Sequence, residues 1–176
     1  SIAYLEGFYY KPRIDLESLA KHSKDLICLT ACIKGAVPEQ LLEGKHKKAA
    51  DTLDEYINIF GRENVFVELM DHGLPEQKKV NPALVKLAKK AEVGVVATND
   101  CHYLNREDAA AQEVLLCIQT GQTLQDERRM RMNTEDLVVK SEAEIRAGFP
   151  CFPEALENSK ENGRRCPQNF HFGYLQ

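Results

Sequence analysis

The sequence predicts an α/β fold with parallel strands, followed by a mainly helical connecting segment. Three short runs rich in β-branched and aliphatic residues lie at 26–30, 65–69 and 93–97, which is the pattern expected of strands. Helical patterns separate these runs. Strand, crossover helix and parallel strand is the usual unit when such segments alternate. The alternation is typical of part of a βα barrel or of an open parallel sheet.

The helices between the strands are predicted from apolar residues that recur on one helical face. Between the first two strands the pattern gives helices at 37–44 and 45–60, and Gly61 ends the second of them. Between the second and third strands it gives a helix at 81–91. The apolar faces of the two longer helices consist of Ala49, Leu53, Tyr56, Ile57, Phe60, Leu84, Leu87, Ala88 and Ala91.

A further helix is expected after the third strand. Asn105 is a suitable N-cap for a helix that runs to residue 119, and Gly121 is a suitable C-terminal stop. Beyond this glycine the sequence becomes more polar and partly basic. We therefore predict a first domain at 1–120 and a connecting segment at 121–176.

The predicted connecting segment contains two further helix signals. Ser141 and Glu144 have the spacing of a capping box. Pro150 and Pro153 flank the start of a last, highly charged helix that should end near Cys166. These signals predict a mainly helical segment.

The composition is that of a soluble globular protein of the cytoplasm. The chain has 43% hydrophobic and 28% charged residues, and it lacks an apolar run near the roughly 20 residues that a membrane helix needs. Its six cysteines are too scattered for a disulfide framework, which favours a reducing compartment. The chain begins at Ser1 without an initiator Met, as expected of a piece of a longer protein.

The overall charge gives no sign of nucleic-acid binding. The net charge is −4 and the isoelectric point is about 5.8, whereas nucleic-acid binders usually carry a basic patch or stripe. One short basic cluster lies at 128–131. Such a cluster is more often a solvated face or a source of internal ion pairs than a phosphate site.

Potential metal ligands follow all three predicted strands. In parallel α/β folds the functional groups collect at the carboxyl ends of the strands. Asp100 and His102 follow the third strand and would project from one face of an extended backbone. By the same alternation Cys28 and Cys32 share a face, with Cys32 nearer the strand end. Aspartate, imidazole and thiolate groups together are suited to a divalent metal.

Structural interpretations of the same residues remain open. An isolated Asp-X-His sequence is more often a hydrogen-bonded pair in a loop, and a single buried cysteine usually acts as a small hydrophobic residue. His72 and Asp71 are typical of a turn before Gly73. Glu68 is a candidate ligand, a support for a ligand, or an exposed carboxylate.

Four sequence strings resemble a known family, in the same order and at similar spacing. The strings are 7–13 (GFYYKPR), 68–77 (ELMDHGLPEQ), 97–104 (ATNDCHYL) and 115–121 (LLCIQTG). They resemble the PHP (polymerase and histidinol phosphatase) domain of the bacterial DNA polymerase III alpha-subunit family. A later string, 153–158 (PEALEN), is similar to the family's stretch leading towards the palm.

The resemblance implies a distorted PHP-type βα barrel, of which this chain holds the second half, with a metal cluster at the strand ends. Position by position, Cys32 matches the family's cysteine ligand, and Asp100 and His102 match its Asp-X-His pair. The family's other ligands, including a His-X-His pair, are expected upstream of Ser1. The metal is expected to be zinc, manganese or iron. Residues expected to support the ligands are Glu68, Asp71 and His72.

The resemblance also implies a role in bacterial chromosome replication. The parent protein is expected to be a DNA-directed DNA polymerase whose magnesium-binding aspartates lie in the palm, beyond Gln176. Its implied partners are DNA, deoxynucleotides, the sliding clamp, the clamp loader and the proofreading exonuclease. For the part in hand, the alternatives are a metal-dependent phosphoesterase or 3′–5′ exonuclease module and a metal-free scaffold that docks replisome subunits. The isolated piece is expected to be inactive.

Overall fold

The computed structural model describes residues 2–166 and contains a three-stranded parallel sheet. Phe66 pairs with Gly94, which sets the register of the second strand against the third. The predicted α/β fold with parallel strands is confirmed. The last ten residues of the predicted connecting segment, 167–176, lie outside the described residues. In their order across the sheet the strands are β1 (Cys28–Leu29), β2 (Val65–Leu69) and β3 (Gly94–Ala97).

Helices make up most of the regular structure in residues 2–166. Short 3₁₀ turns at Arg62–Asn64 and Arg106–Asp108 precede β2 and α6. No described helix is long and apolar enough to cross a bilayer. The α-helices are α1 (Ile2–Leu5), α2 (Leu16–Lys21), α3 (Ala36–Leu42), α4 (His46–Phe60), α5 (Pro75–Ala91), α6 (Ala109–Thr120), α7 (Glu142–Gly148) and α8 (Pro153–Arg165).

Two elements differ most from the sequence prediction. β1 covers two residues of the predicted 26–30, and left-handed backbone at Asp25 and Ala31, both with φ 64°, lies on either side of the predicted range. α5 starts at Pro75, six residues before the predicted start, because proline at the first helical position needs no backbone N–H. Asn81 lies inside this helix and donates a hydrogen bond to the Met70 carbonyl (3.1 Å).

The predicted helix caps are confirmed. Asn105 and Asp108 form a capping box at the start of the turn that leads into α6. Gly121 ends α6 with φ 67°, a left-handed conformation that glycine adopts without strain. Ser141 and Glu144 form the predicted capping box of α7. Short-range signals therefore locate these helix boundaries correctly.

The hydrophobic core lies between the sheet and the helices α3, α4 and α5, and it extends to α8. Every second residue of β2, from Val65 to Leu69, is completely buried, as are Leu53 of α4 and Leu84 of α5. Phe149 and Ala155 bring the predicted connecting segment into the same core. Residues 122–166, the described part of this segment, thus pack as part of the same folded unit.

Helix α8 covers the outer edge of β3. Asn158 donates a side-chain hydrogen bond to the Val95 carbonyl (2.8 Å). The Ser159 hydroxyl accepts from the Ala97 N–H (3.1 Å), and its single proton lies between the carbonyls of Ala97 and Ala155, each at 2.8 Å. These bonds satisfy backbone groups that another strand would pair in a wider sheet, so α8 protects the edge from association.

The basic cluster at 128–131 contributes an internal ion pair. The Arg129 guanidinium contacts the Glu113 carboxylate at 2.7 Å, and its side chain is only 8% exposed. The hydrogen bond from Arg129 lowers the pKa of Glu113 below its ordinary value. Arg129 thus fixes the chain after Gly121 to α6.

We predict that Ser159→Ala lowers the free energy of unfolding by about 1–3 kcal/mol, because it leaves the buried Ala97 N–H without a partner. Urea denaturation measures the loss. Ser23→Ala is the matched control, since the Ser23 hydroxyl donates to the Ala20 carbonyl at an exposed site and its removal should cost less than about 0.5 kcal/mol. Equal losses in the two variants would contradict this account of the β3 edge.

Candidate functional site

The carboxyl ends of the three strands lie at one edge of the sheet, because the strands are parallel. Thr30, Glu68 and Thr98 form a polar row across this edge. The Thr30 hydroxyl accepts from the Glu68 N–H (2.9 Å), and the Thr98 hydroxyl donates to Glu68 Oε1 (2.5 Å). Glu68 is therefore buried, with its backbone N–H bonded to Thr30 after β1 and its carboxylate bonded to Thr98 after β3, and the exposed alternative is wrong.

His72 is buried, and both of its ring nitrogens have partners. The amide of Gln77 accepts from the His72 N–H through its oxygen (2.8 Å), so its NH₂ group faces His72 Nδ1 (2.8 Å). Nδ1 must then be the acceptor, and Nε2 carries the proton that is donated to the Asn99 carbonyl (3.0 Å). His72 is thus committed to the protein and has no free lone pair for a metal.

Asn99 extends these bonds to the segment after α6. Its side-chain NH₂ donates to the carbonyls of Asp136 (2.9 Å) and Val138 (2.7 Å). Thr134 donates its hydroxyl hydrogen to the His72 carbonyl (3.1 Å). We use the name strand-end network for the connected groups of Gln77, His72 and Asn99 together with the carbonyls of Asp136 and Val138. It joins β2, α5 and β3 to residues 134–138.

Asp71 forms the turn that leads into α5. Its carboxylate accepts from the Gly73 N–H (2.9 Å), and Gly73 has φ 77°. This is the side-chain turn that Asp commonly makes. The turn interpretation is therefore right for Asp71, whereas His72 is buried behind the turn.

Asp100 and His102 lie in the loop after β3, and both are exposed. Asp100 has φ 42°, so the extended alternation from which a shared face was predicted does not hold. His102 Nδ1 instead lies 2.7 Å from the Asp100 carbonyl. Because a carbonyl only accepts, Nδ1 carries the proton and Nε2 keeps its lone pair. Metal-binding histidines are usually held in this way.

The two cysteines near β1 have different environments. Ala31, with φ 64°, interrupts the alternation that was expected to place Cys28 and Cys32 on one face. Burial against the core raises the pKa of the Cys28 thiol to about 11, so Cys28 behaves as a small hydrophobic residue. Cys32 is half-buried and lines a small cavity together with Glu68.

Asp136 binds two cations beside the strand-end network. Arg106 contacts its Oδ1 at 2.5 Å, and Lys140 contacts Oδ2. Burial alone would raise the pKa of Asp136, but the hydrogen bond and charge of Lys140, with those of Arg106, outweigh it and lower the pKa. The ion pairs therefore stabilise the fold above the ordinary pKa of aspartate, about 3.9, and this stabilisation is lost as the pH falls through the lower folded value.

The predicted ligands form only part of a metal site. Within residues 2–166, no three His, Cys, Asp or Glu side chains come close enough together to hold one ion. The chemistry of Cys32, Asp100 and His102 fits such a site, and the protonated Nδ1 of His102 leaves a nitrogen lone pair available. Further ligands are needed to complete it. Gln77, Asn99 and Asp136, which organise this edge, were not singled out from the sequence.

Comparison with known proteins identifies the family. The sequence model described as the PHP domain matches residues 1–72. The chain is 43% identical over 166 residues to the DNA polymerase III subunit alpha of Treponema pallidum and 44% identical over 176 residues to that of Thermus aquaticus. These matches cover 94% and 98% of the chain. The chain belongs to the DNA polymerase III alpha-subunit family.

Membership of the alpha-subunit family confirms the resemblance seen in the sequence. The chain spans 14% of the length of these two relatives. A third relative, the DNA polymerase III subunit alpha of Deinococcus radiodurans, is 45% identical over 150 residues, which are 85% of the chain and 11% of that protein. The domain boundary near residue 120 and the metal ligands stay predictions.

We predict that Cys28 reacts with iodoacetamide at pH 8 at least about tenfold more slowly than the exposed Cys151, because a pKa of about 11 leaves very little thiolate. Peptide mapping by mass spectrometry measures both rates in one sample. Denatured chain is the control, in which the two rates should converge. Rapid labelling of native Cys28 would show that its side chain is not packed in the core.

Proposed function

We propose that this chain is part of the alpha subunit of a replicative, DNA-directed DNA polymerase in the bacterial cytoplasm. What supports the proposal is the identity to alpha subunits over nearly the whole chain, together with the parallel α/β fold. The partners of the whole protein would be DNA, deoxynucleotides, the sliding clamp, the clamp loader and the proofreading exonuclease. Because the chain covers only 14% of its relatives, we assign magnesium-dependent polymerisation to another part of the polypeptide.

We further propose that Cys32, Asp100 and His102 contribute ligands to a divalent-metal site of the PHP domain. The observation that carries this proposal is the bond between His102 Nδ1 and the Asp100 carbonyl, which leaves Nε2 as a lone-pair donor at the strand ends. Zinc, manganese and iron all accept such a ligand set. A bound ion would supply Lewis-acid activation of water for hydrolysis of a phosphodiester, as in a 3′–5′ exonuclease.

The residues of this chain have separate roles in that site. Asp100 and His102 are exposed and so can be reached by an ion and by a DNA end. Glu68 and His72 are buried and hydrogen-bonded to the protein, and they hold the strand ends in position. The supporting role expected of Glu68 and His72 is consistent with these bonds. Asp71 supports the turn before α5.

A metal-free scaffold is the second candidate function. The observation that favours it is that the strand-end network is closed within the protein, which gives the edge a purely structural use. In this case the region would stabilise the polymerase and dock other replisome subunits. The two functions differ in whether the complete subunit binds an ion through the loop after β3.

We predict that the full-length alpha subunit binds zinc, manganese or iron, and that Asp100→Asn and His102→Ala each weaken its metal affinity by at least about tenfold. Metal content by mass spectrometry and metal titration measure the effect. Asp54→Asn and His22→Ala are matched controls, since both residues are exposed and lie away from the strand ends. Their affinities should equal that of the unmodified subunit.

Two assays test the polymerase assignment and the metal site separately: primer extension, and hydrolysis of a single-stranded DNA end. Primer extension should persist in all four variants, because polymerisation is assigned elsewhere. Hydrolysis should fall only in the Asp100 and His102 variants. A folded subunit that extends primers but binds no metal would support the scaffold. A subunit without primer extension would contradict the assignment to a polymerase.

A further inference from the structure

Asn99 holds the strand that carries the predicted ligand pair against a distant segment of the chain. It is 7% exposed and immediately precedes Asp100. Its backbone carbonyl accepts from His72 Nε2, while its side-chain NH₂ donates to the carbonyls of Asp136 and Val138. One residue thus joins the end of β3 both to the end of β2 and to residues 134–138.

The loop after β3 runs beside this distant segment. The His102 N–H donates to the Leu137 carbonyl (2.8 Å), and Tyr103 forms a parallel bridge with Val138. The Cys101 thiol also contacts the Val138 carbonyl (3.1 Å). The backbone on both sides of the predicted ligand pair is therefore supported from outside the sheet.

Asp136 holds both ends of the same loop. Its carbonyl accepts from Asn99 at the start of the loop (2.9 Å), and its carboxylate binds Arg106 at the end (2.5 Å). Lys140 fixes this carboxylate from the other side. The loop needs such support because Asp100 has a left-handed φ of 42°, which is unfavourable for a residue with a side chain.

We propose that Asn99 is a positioning residue for the Asp100–His102 pair, and that Asp136 is the anchor through which it acts. The expected effect on metal affinity rests on the proposed metal-binding function, whereas the expected effect on the loop does not. The two N–H donors of Asn99 fix the loop, and the loop fixes the direction in which His102 Nε2 offers its lone pair to a divalent cation. The geometry of the pair is therefore set by residues 134–138 as well as by β3.

Asn99→Asp tests the inference. It leaves the side-chain volume nearly unchanged and replaces the NH₂ group with its two N–H donors by an oxygen that faces two carbonyls. We expect the amide protons of His102 and Tyr103 to exchange with solvent at least about tenfold faster, as measured by NMR on the full chain. In the full-length subunit the affinity for zinc should fall by about 10- to 100-fold, the range found when groups that orient ligands are lost.

Asn158→Asp is the matched control, since Asn158 also donates to a carbonyl of β3 but at its outer edge. It should leave the exchange of His102 and Tyr103 and the zinc affinity unchanged. If Asn99→Asp fails to fold, Arg106→Gln serves as the second variant. It releases the other end of the loop from Asp136 at an exposed position and should also speed the exchange.

Three outcomes would overturn the inference. The first is unchanged exchange of His102 and Tyr103 in a folded Asn99→Asp or Arg106→Gln variant. The second is equal acceleration by Asn158→Asp, which would indicate general destabilisation. The third is faster exchange with unaltered zinc affinity in a subunit that binds zinc through Asp100 and His102. A subunit that binds no zinc would remove the metal function, while the exchange rates would still decide whether Asn99 holds the loop.

Discussion

The buried polar groups at the carboxyl ends of the strands must find hydrogen-bond partners inside the protein, because little solvent reaches them. His72 satisfies most of this requirement, since its backbone and both ring nitrogens are bonded to Gln77 and Asn99. The arrangement works only with one tautomer of the ring. It fixes the end of β2 relative to α5 and to the end of β3, and the loop conformations beyond these ends follow from it.

The same requirement explains why the segment after Gly121 packs against the sheet. Carbonyls of Asp136 and Val138 pair with Asn99 at the strand ends, while α8 pairs with the outer edge of β3 through Asn158 and Ser159. The first set satisfies the buried side chain of Asn99, and the second satisfies backbone groups of β3 that a larger sheet would pair with a further strand. Residues 122–166 of the predicted connecting segment thus pack as an integral part of this fold.

The strand-end network also separates residues that stabilise the fold from residues that are free to act. Glu68 and His72 are buried; both ring nitrogens of His72 have protein partners, and Glu68 Oε1 accepts from the Thr98 hydroxyl. His102 is exposed and keeps one nitrogen available. In the proposed function the chemical role belongs to the loop after β3, and the buried groups hold that loop in place.

The sequence predicts those parts of the structure that depend on local periodicity and capping. The strands, the longer helices, the N-cap at Asn105 and the capping box at Ser141 are of this kind. The left-handed backbone at Ala31 after β1 and at Asp100 after β3 is different, because non-glycine residues seldom adopt it and periodicity does not reveal it. The bonds of Asn99 are equally hidden, because they join residues 27–39 positions apart in the chain. The bonds of Gln77 span only five residues, but no periodic pattern reveals them.

The tautomer of His72 tests this account most directly. A long-range proton–nitrogen NMR correlation spectrum identifies which ring nitrogen carries the proton, and a His72→Phe variant assigns the signal. The account predicts a single neutral tautomer with the proton on Nε2, donated to the Asn99 carbonyl, and with Nδ1 as the acceptor from Gln77. A proton on Nδ1, or rapid exchange between the two tautomers, would contradict the strand-end network.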